Sequence, residues 1–248
     1  MLVSLYNTIL YEPLFNVLIF FYNIIPIKDI GFAIILITIL VRLVLYPLSK
    51  SSIESQKKLQ ELKPQIDELK EKHKDDKEAF GRATMELYKR EKINPASSCL
   101  PLFIQLPILI AVYQVFRLGL SNGSFDVLYS FVQNPGTINN MFLGLINLAE
   151  PNTILAVLAG IGQYVQSKMI MNIKGKKGEV KDKKKGNDMA DAMGKQMVYM
   201  MPLFTVFIGV SLPSGLVLYW LISIVLTVLQ QYLIFSKKKK DNPIEVVQ

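Results

Sequence analysis

The sequence lacks most of the residues and motifs that carry enzyme chemistry. It has one cysteine, Cys99, and one histidine, His73, so an internal disulfide or a cysteine–histidine metal cluster is excluded. Motifs of nucleotide-binding loops, serine hydrolases and zinc peptidases are also absent. We therefore expect a protein that is not an enzyme and that uses no cofactor, metal ion or small-molecule substrate.

Acidic side chains are missing from the interiors of five long apolar segments. The 248 residues are 51% hydrophobic, with a mean hydropathy of +0.31, which is typical of an integral membrane protein. We predict an all-α, polytopic membrane protein: a five-span helical core with a cytosolic helical hairpin. The spans are expected at residues 29–49, 95–118, 153–171, 196–212 and 213–235.

Basic residues are unevenly distributed along the +8 chain. Positions 50–93 hold twelve Lys and Arg residues, and positions 168–195 hold nine, whereas residues 1–30 and 117–152 hold only Lys28 and Arg117. The positive-inside rule then predicts which segments face the cytosol. These are the hairpin at 50–94, a basic loop at 172–195 and a basic tail at 236–248, whereas the loop at 119–152 is external.

The N-terminal segment, residues 1–28, has two interpretations. Thr8, Glu12, Asn16 and Asn23 fall on one helical face, which favours an amphipathic helix on the outer membrane surface. The alternative is a sixth span. The absence of a recognisable cleavage site, lipobox or transit peptide favours a bacterial plasma membrane, with a multi-pass protein and a cytosolic C-terminus.

Residues 50–94 alternate basic and acidic side chains around two apolar stripes. The first comprises Leu59, Leu62, Ile66 and Leu69, and the second comprises Phe80, Ala83 and Leu87. We predict two antiparallel helices with a turn at 73–76 and a kink at Pro64. The hairpin is either a solvated spacer or a movable cap over the helical bundle.

Arg42 is the one charge in the apolar run from Gly31 to Leu48. A charge at this depth costs at least ~2.5 kcal/mol unless it faces water, protein or a polar substrate. Counting from Ser49 at ~1.5 Å per residue, we expect Arg42 about 10 Å inside the cytosolic end of the span. The simplest arrangement is a hydrated cavity open to the cytosol, with Arg42 in its wall.

Other polar residues inside the spans form helical stripes. Their simpler interpretation is hydrogen bonding between helices; together with Arg42 they favour a substrate groove. The candidate groove residues are Arg42, Thr38, Gln105, Gln163, Gln166, Tyr219, Trp220 and Ser223.

Two lysine clusters lie on the predicted cytosolic side. Their simpler interpretation is that they set topology and contact anionic phospholipid, and the functional one is contact with ribosomal RNA. The candidate ribosome or lipid contacts are Lys183, Lys184, Lys185, Lys237, Lys238, Lys239 and Lys240.

Four stretches resemble the YidC/Oxa/Alb membrane protein insertases. NPASSCLPLFIQLP, from Asn94 to Pro107, is similar to the family's NPxxxCxPxxIQxP pattern. VRLVLYPLS resembles its arginine-containing helix, QYVQSKM its third span, and LPSGLVLYWLIS its PSGLxLYW segment. The likeness covers about residues 10–236.

The resemblance implies an insertase and membrane chaperone that works without nucleotide hydrolysis, alone or with the Sec translocon. It implies a hydrophilic groove open to cytosol and lipid, with Arg42, Gln166 and Trp220 at groove positions, and a mobile cytosolic hairpin. The implied partners are nascent membrane proteins, the Sec translocon, the ribosome and the phospholipid membrane. The external loop looks long for the family, and we expect a short helix at 138–148.

Two rival classes remain from the residues alone. A small transporter or anion channel would use Arg42 as a selectivity charge, but transporters usually show internal repeats and this sequence has none. A scaffold that recruits partners through its basic loops would leave Arg42 unexplained.

Overall fold

The structure is a computed structural model that describes residues 2–95, 100–120, 125–173 and 189–241. Regular structure in these ranges is nearly all helical, which confirms the predicted all-α class. In the part of the chain that the structure describes, the exceptions are two short strands in the loop that is predicted to be external, β1 (Met141–Phe142) and β2 (Ile146–Asn147).

The N-terminal segment is helical from Leu2 to Ile24. It consists of α1 (Leu2–Tyr6), a π-helical turn π1 (Asn7–Tyr11) and α2 (Glu12–Ile24). The apolar face of α2 packs against the next helix, α3 (Ile30–Val44). Its polar Asn16 is buried against the external loop. Whether this helix lies on the membrane or crosses it stays a prediction.

The first predicted span bends before it ends. Helix α3 stops at Val44, and α4 (Tyr46–Glu61) leaves at an angle of 69°. Pro47 lies in the first turn of α4 and has no N–H for a helical hydrogen bond, so one straight helix cannot continue through it. A count from Ser49 along one straight helix therefore does not apply, and the depth of Arg42 in the membrane stays a prediction. Arg42 lies in the last turn of α3, next to the bend.

The charged segment forms the predicted hairpin. Helix α5 (Lys63–Lys72) starts beside Pro64 and pairs with α6 (Lys77–Arg90) across a turn at 73–76. Its small core contains Leu62, Leu87 and Ile93, with Leu59, Ile66, Leu69 and Tyr88 packed around them. Burial raises the pKa of the Tyr88 phenol, which keeps it neutral. Phe80 and Ala83 of the predicted second stripe are only partly buried.

The remaining helices form the apolar bundle. They are α7 (Leu100–Gln114) with its π-helical extension π2 (Val115–Leu120), α8 (Thr153–Met171), α9 (Met189–Gly209) and α10 (Ser214–Asp241). Helix α10 packs against α3 and α8, and α8 also packs against α9. The start of α9 precedes the predicted fourth span by seven residues.

Length and hydropathy support some spans more strongly than others. In the described ranges, α8 and residues Ser214–Ser236 of α10 are long and apolar enough to cross a membrane, and the bent α3–α4 pair adds a third if it counts as one span. The apolar stretches Phe103–Arg117 and Val198–Gly209 are shorter. The count of five spans stays a prediction.

The expected helix at 138–148 is wrong. Strands β1 and β2 form an antiparallel pair there, with Met141 opposite Asn147 and Phe142 opposite Ile146. Leu143 and Gly144 between them have φ angles of 54° and 70°, which lie in the left-handed region. An α-helix requires negative φ at every residue, so these two residues reverse the chain instead.

Candidate substrate groove

Arg42 lies where α3 faces α10. It is partly exposed, and its charge is close enough to the Tyr219 phenol for electrostatic interaction. Among the described residues, no carboxylate lies within ion-pair distance of Arg42. The Arg42 guanidinium therefore has a polar neighbour, Tyr219, and no negatively charged partner among the described residues.

Tyr219 connects two helices beside Arg42. Its side chain is 2% exposed, and its hydroxyl oxygen accepts a hydrogen bond of 2.9 Å from Gln105 Nε2 on α7. A buried hydroxyl needs such a partner, because a buried polar group without a hydrogen bond lowers the stability of the fold. Arg42, Gln105 and Tyr219, predicted from three separate segments, are thus brought together.

Two further predicted residues lie along the same helices but are closed off. Ser223 is buried one turn after Tyr219, and its side chain lies near the Tyr219 phenol. Among the described residues, no atom meets its Oγ with hydrogen-bond geometry. Thr38 is fully buried, and its hydroxyl donates to the carbonyl oxygen of Ile34 at 2.6 Å. Thr38 therefore fills the α3 interface rather than an accessible wall.

The remaining groove candidates are peripheral. Trp220 packs partly buried against the core, next to Tyr219. Gln163 and Gln166 are partly exposed on α8, which contacts α10, but in the described ranges no hydrogen bond joins either of them to the Arg42 group. Their role in a groove stays a prediction.

The two predicted basic clusters lie partly or wholly outside the described residues. Lys183, Lys184 and Lys185 lie outside the described residues. The backbone of Lys237 to Lys240 continues α10 towards Asp241, and their side chains lie outside the described part.

Two buried polar residues lie at the predicted external end of the bundle: Asp29, which sequence reasoning missed, and Asn16, which it placed on the polar face of an amphipathic helix. Asp29 caps α3, and Asn16 donates from Nδ2 to the carbonyl oxygen of Val127 at 2.9 Å and accepts at Oδ1 from the Tyr129 N–H at 2.6 Å. An aspartate directly before an apolar helix is a recognisable N-cap signal, so Asp29 was predictable. The partners of Asn16 were not, because they lie more than a hundred residues away.

Residues 20–241 match the sequence profile of the family described as 60Kd inner membrane protein, which covers most of the chain. The chain belongs to the 60Kd inner membrane protein family. That membership confirms the resemblance found in the sequence and places the protein in a bacterial membrane.

Relatives within the 60Kd inner membrane protein family carry the name Membrane protein insertase YidC. The one from Shewanella halifaxensis is 36% identical over 236 residues, covering 93% of this chain and 37% of the relative. The one from Geobacter sulfurreducens is 34% identical over 227 residues, covering 90% of this chain and 36% of the relative. The chain thus spans just over a third of their length.

A shorter relative matches over most of its length. The Membrane protein insertase YidC of Fusobacterium nucleatum is 32% identical over 211 residues, which cover 85% of this chain and 88% of the relative. The shared region therefore corresponds to nearly a whole protein in that organism.

Proposed function

We propose that this protein inserts nascent membrane proteins into the bilayer, without nucleotide hydrolysis, through a groove beside Arg42. The observation that carries this proposal is Arg42 itself: a partly exposed guanidinium among apolar helices, next to the Tyr219–Gln105 pair and without a described counter-charge. A persistent charge in such surroundings is a functional site by default. The insertase names of the relatives support the same activity.

The proposed mechanism separates the polar and apolar parts of a substrate. A carboxylate on the substrate is attracted to Arg42, and the attraction is stronger than in water because the surroundings have a low dielectric constant. The apolar segment then leaves for the lipid along the bundle, driven by burial of ~25 cal/mol per Å². No chemical bond changes in this cycle.

Polar atoms on α10 support a hydrated path. Ser223 Oγ and Gln231 Oε1 are buried without a hydrogen-bond partner among the described residues. Such atoms normally bind ordered water or a ligand, because leaving them unpaired costs ~1–3 kcal/mol. In the proposal, water or polar groups of the substrate meet them during insertion.

The hairpin is the proposed movable element. Helix α4, which leads into it, packs against the bundle: Ser52 and Ile53 are buried, and Gln230 Nε2 on α10 donates to the carbonyl oxygen of Tyr46 at 3.4 Å. Helices α5 and α6 pack mainly against each other around their own small core, so this pair is the part that we propose moves at the cytosolic end of the bundle.

Partners and chaperone activity belong to the same proposal. Lysines 183–185 and 237–240 would contact the ribosome or anionic lipid, and the Sec translocon would cooperate on larger substrates. The transporter alternative has no observation of its own beyond the charge of Arg42.

The test is reconstitution in liposomes with a single-span substrate that has an acidic N-terminal tail, scored by protection of the tail from protease. We expect insertion by the wild type and by Arg42→Lys, and a loss of about tenfold or more with Arg42→Ala, which corresponds to ~1.4 kcal/mol. Arg117→Ala is the matched control, because Arg117 is exposed on π2, about three helical turns beyond Gln105.

The outcomes separate the alternatives. Equal insertion by Arg42→Ala and wild type would remove Arg42 from the mechanism. Failure of Arg42→Lys would replace charge attraction with a specific guanidinium contact. No insertion above empty liposomes would contradict autonomous activity.

A further inference from the structure

The β1–β2 turn presents two leucines to its surroundings. Leu143 and Leu145 are 59% and 81% exposed, on either side of Gly144. Phe142, one residue earlier, points the other way: its ring packs against Gly31 and lies 5.7 Å from the Phe32 ring. One aromatic side chain therefore anchors the turn to α3, while the two leucines project from it.

A buried carboxylate holds this turn in place. Asp29 is 2% exposed; its Oδ1 accepts the Gly31 N–H at 2.7 Å, and its Oδ2 accepts the Leu143 N–H at 2.8 Å. The Asn139 N–H also donates to the Tyr22 hydroxyl at 2.9 Å. The leucines are thus fixed at the N-terminal end of α3, which is the predicted external end of the first span.

The loop around the turn carries no charge. From Val127 to Ala149 the sequence contains no Asp, Glu, Lys or Arg. Exposed apolar side chains also occur at Phe131 within the loop and at Ile27, beside the exposed Lys28 that precedes Asp29. An apolar surface beside the end of a membrane helix, with a lysine at its edge, fits the boundary of headgroups and acyl chains.

We propose that Leu143 and Leu145 insert into the outer leaflet and anchor the external loop to the membrane. The occupant of this surface is lipid. The anchoring holds the external end of α3 at a fixed depth, since Asp29 connects the turn directly to that helix. It does not depend on the insertase proposal, because it is measured without a substrate.

The test is the depth of a nitroxide at position 145. The labelled protein is Leu145→Cys in a Cys99→Ala background, reconstituted in phosphatidylethanolamine–phosphatidylglycerol vesicles. Collisions with oxygen, which concentrates in the bilayer, are compared with collisions with a water-soluble nickel chelate on both sides. Asn134→Cys is the matched control, because Asn134 is exposed in the same uncharged loop but is polar.

We expect the ratio of oxygen to nickel collisions at position 145 to exceed that at 134 several-fold, at a depth of about 5–10 Å. Asp29→Ala should lower that ratio and increase label mobility. Equal, nickel-accessible labels at 134 and 145 would overturn the proposal. A label at 145 that neither reagent reaches would also overturn it, in favour of a protein partner.

Discussion

Arg42 has a neutral neighbour and, among the described residues, no carboxylate counter-ion. The Tyr219 hydroxyl oxygen accepts the hydrogen bond from the Gln105 amide, and the phenol is close enough to Arg42 for electrostatic interaction. A carboxylate at the same place would neutralise Arg42 and remove its attraction for an acidic substrate. In the proposed mechanism, the tyrosine leaves the charge of Arg42 available to a substrate carboxylate.

Removing the Tyr219 hydroxyl tests this pairing. In Tyr219→Phe, the Gln105 amide loses its acceptor in a part-buried position, and we expect the free energy of unfolding to fall by ~1–3 kcal/mol. The measurement is denaturant unfolding in detergent. The matched control is Tyr199→Phe, because Tyr199 is exposed on α9, where its ring lies 6.1 Å from the Tyr164 ring, and its hydroxyl has no hydrogen bond among the described residues. Equal stability of both variants would contradict the role assigned to the hydroxyl.

At the scale of elements, helix limits follow short local signals. Asp29, Asp76 and Asn152 each accept a backbone N–H from the first turn of the helix that follows. Pro47 and Pro64 mark the two breaks of the chain between α3 and α5. These residues act through neighbours within four positions, so their effects can be read from the sequence.

The cap of α6 provides a direct test of one such signal. Asp76 Oδ1 accepts from Glu78 N–H at 3.0 Å and from Ala79 N–H at 2.9 Å. We expect Asp76→Ala to destabilise α6 by ~0.5–2 kcal/mol. Hydrogen–deuterium exchange should show faster exchange in the first turn of α6. Asp75→Ala, one residue earlier and exposed, is the control and should leave exchange unchanged.

The contact between α8 and α9 depends on the small size of Gly160. A Cβ placed there would lie 2.4 Å from Val206 Cγ2 and 3.2 Å from the Pro202 carbonyl oxygen, so the two helices would have to separate. We expect Gly160→Ala to destabilise the protein by ~1–3 kcal/mol, measured by thermal unfolding in detergent.

Gly81 is the matched control for that substitution. A Cβ at Gly81, inside α6, meets nothing within 4 Å, so Gly81→Ala should stabilise α6 by ~0.5–1 kcal/mol. A loss of stability at both glycines, or at neither, would show that close packing does not distinguish them.

At the scale of the whole molecule, the external loop and the bundle form one packed unit. The carbonyl oxygens of Glu150 and Leu148 accept the first N–H groups of α10, from Ser214 at 2.8 Å and Gly215 at 2.9 Å. The same loop bonds to α2 through Asn16 and to α3 through Asp29. Three helices are thereby joined by one loop on the predicted external side of the bundle.

The predicted membrane orientation is testable by labelling single cysteines in the Cys99→Ala background. We expect Asn134→Cys to react with an impermeant maleimide from outside intact cells, and Ser51→Cys to react only once the cytosol is opened. Leu203→Cys, exposed on α9 in the structure, should resist the reagent on both sides because lipid covers it. A reactive Leu203→Cys would mean that α9 does not cross the membrane.

Local features of the sequence determined the apolar segments, the lone Arg42, the hairpin stripes and most helix limits. Each depends on residues within one or two turns of a helix, where period and hydropathy act directly. Pro47 is also a local signal, since it marks the bend after Val44. The turn at Leu143–Gly144 was missed because a leucine rarely adopts a positive φ.

Only the tertiary structure decided which polar groups meet. Gln105 and Tyr219 lie 114 positions apart, as do Asp29 and Leu143, and Asn16 lies 111 positions from Val127. No local pattern encodes such pairs, because a stripe of polar residues on one helix is compatible with several partners on another. The packing of the helices selects one partner, since a buried donor or acceptor must be paired where the chain places it.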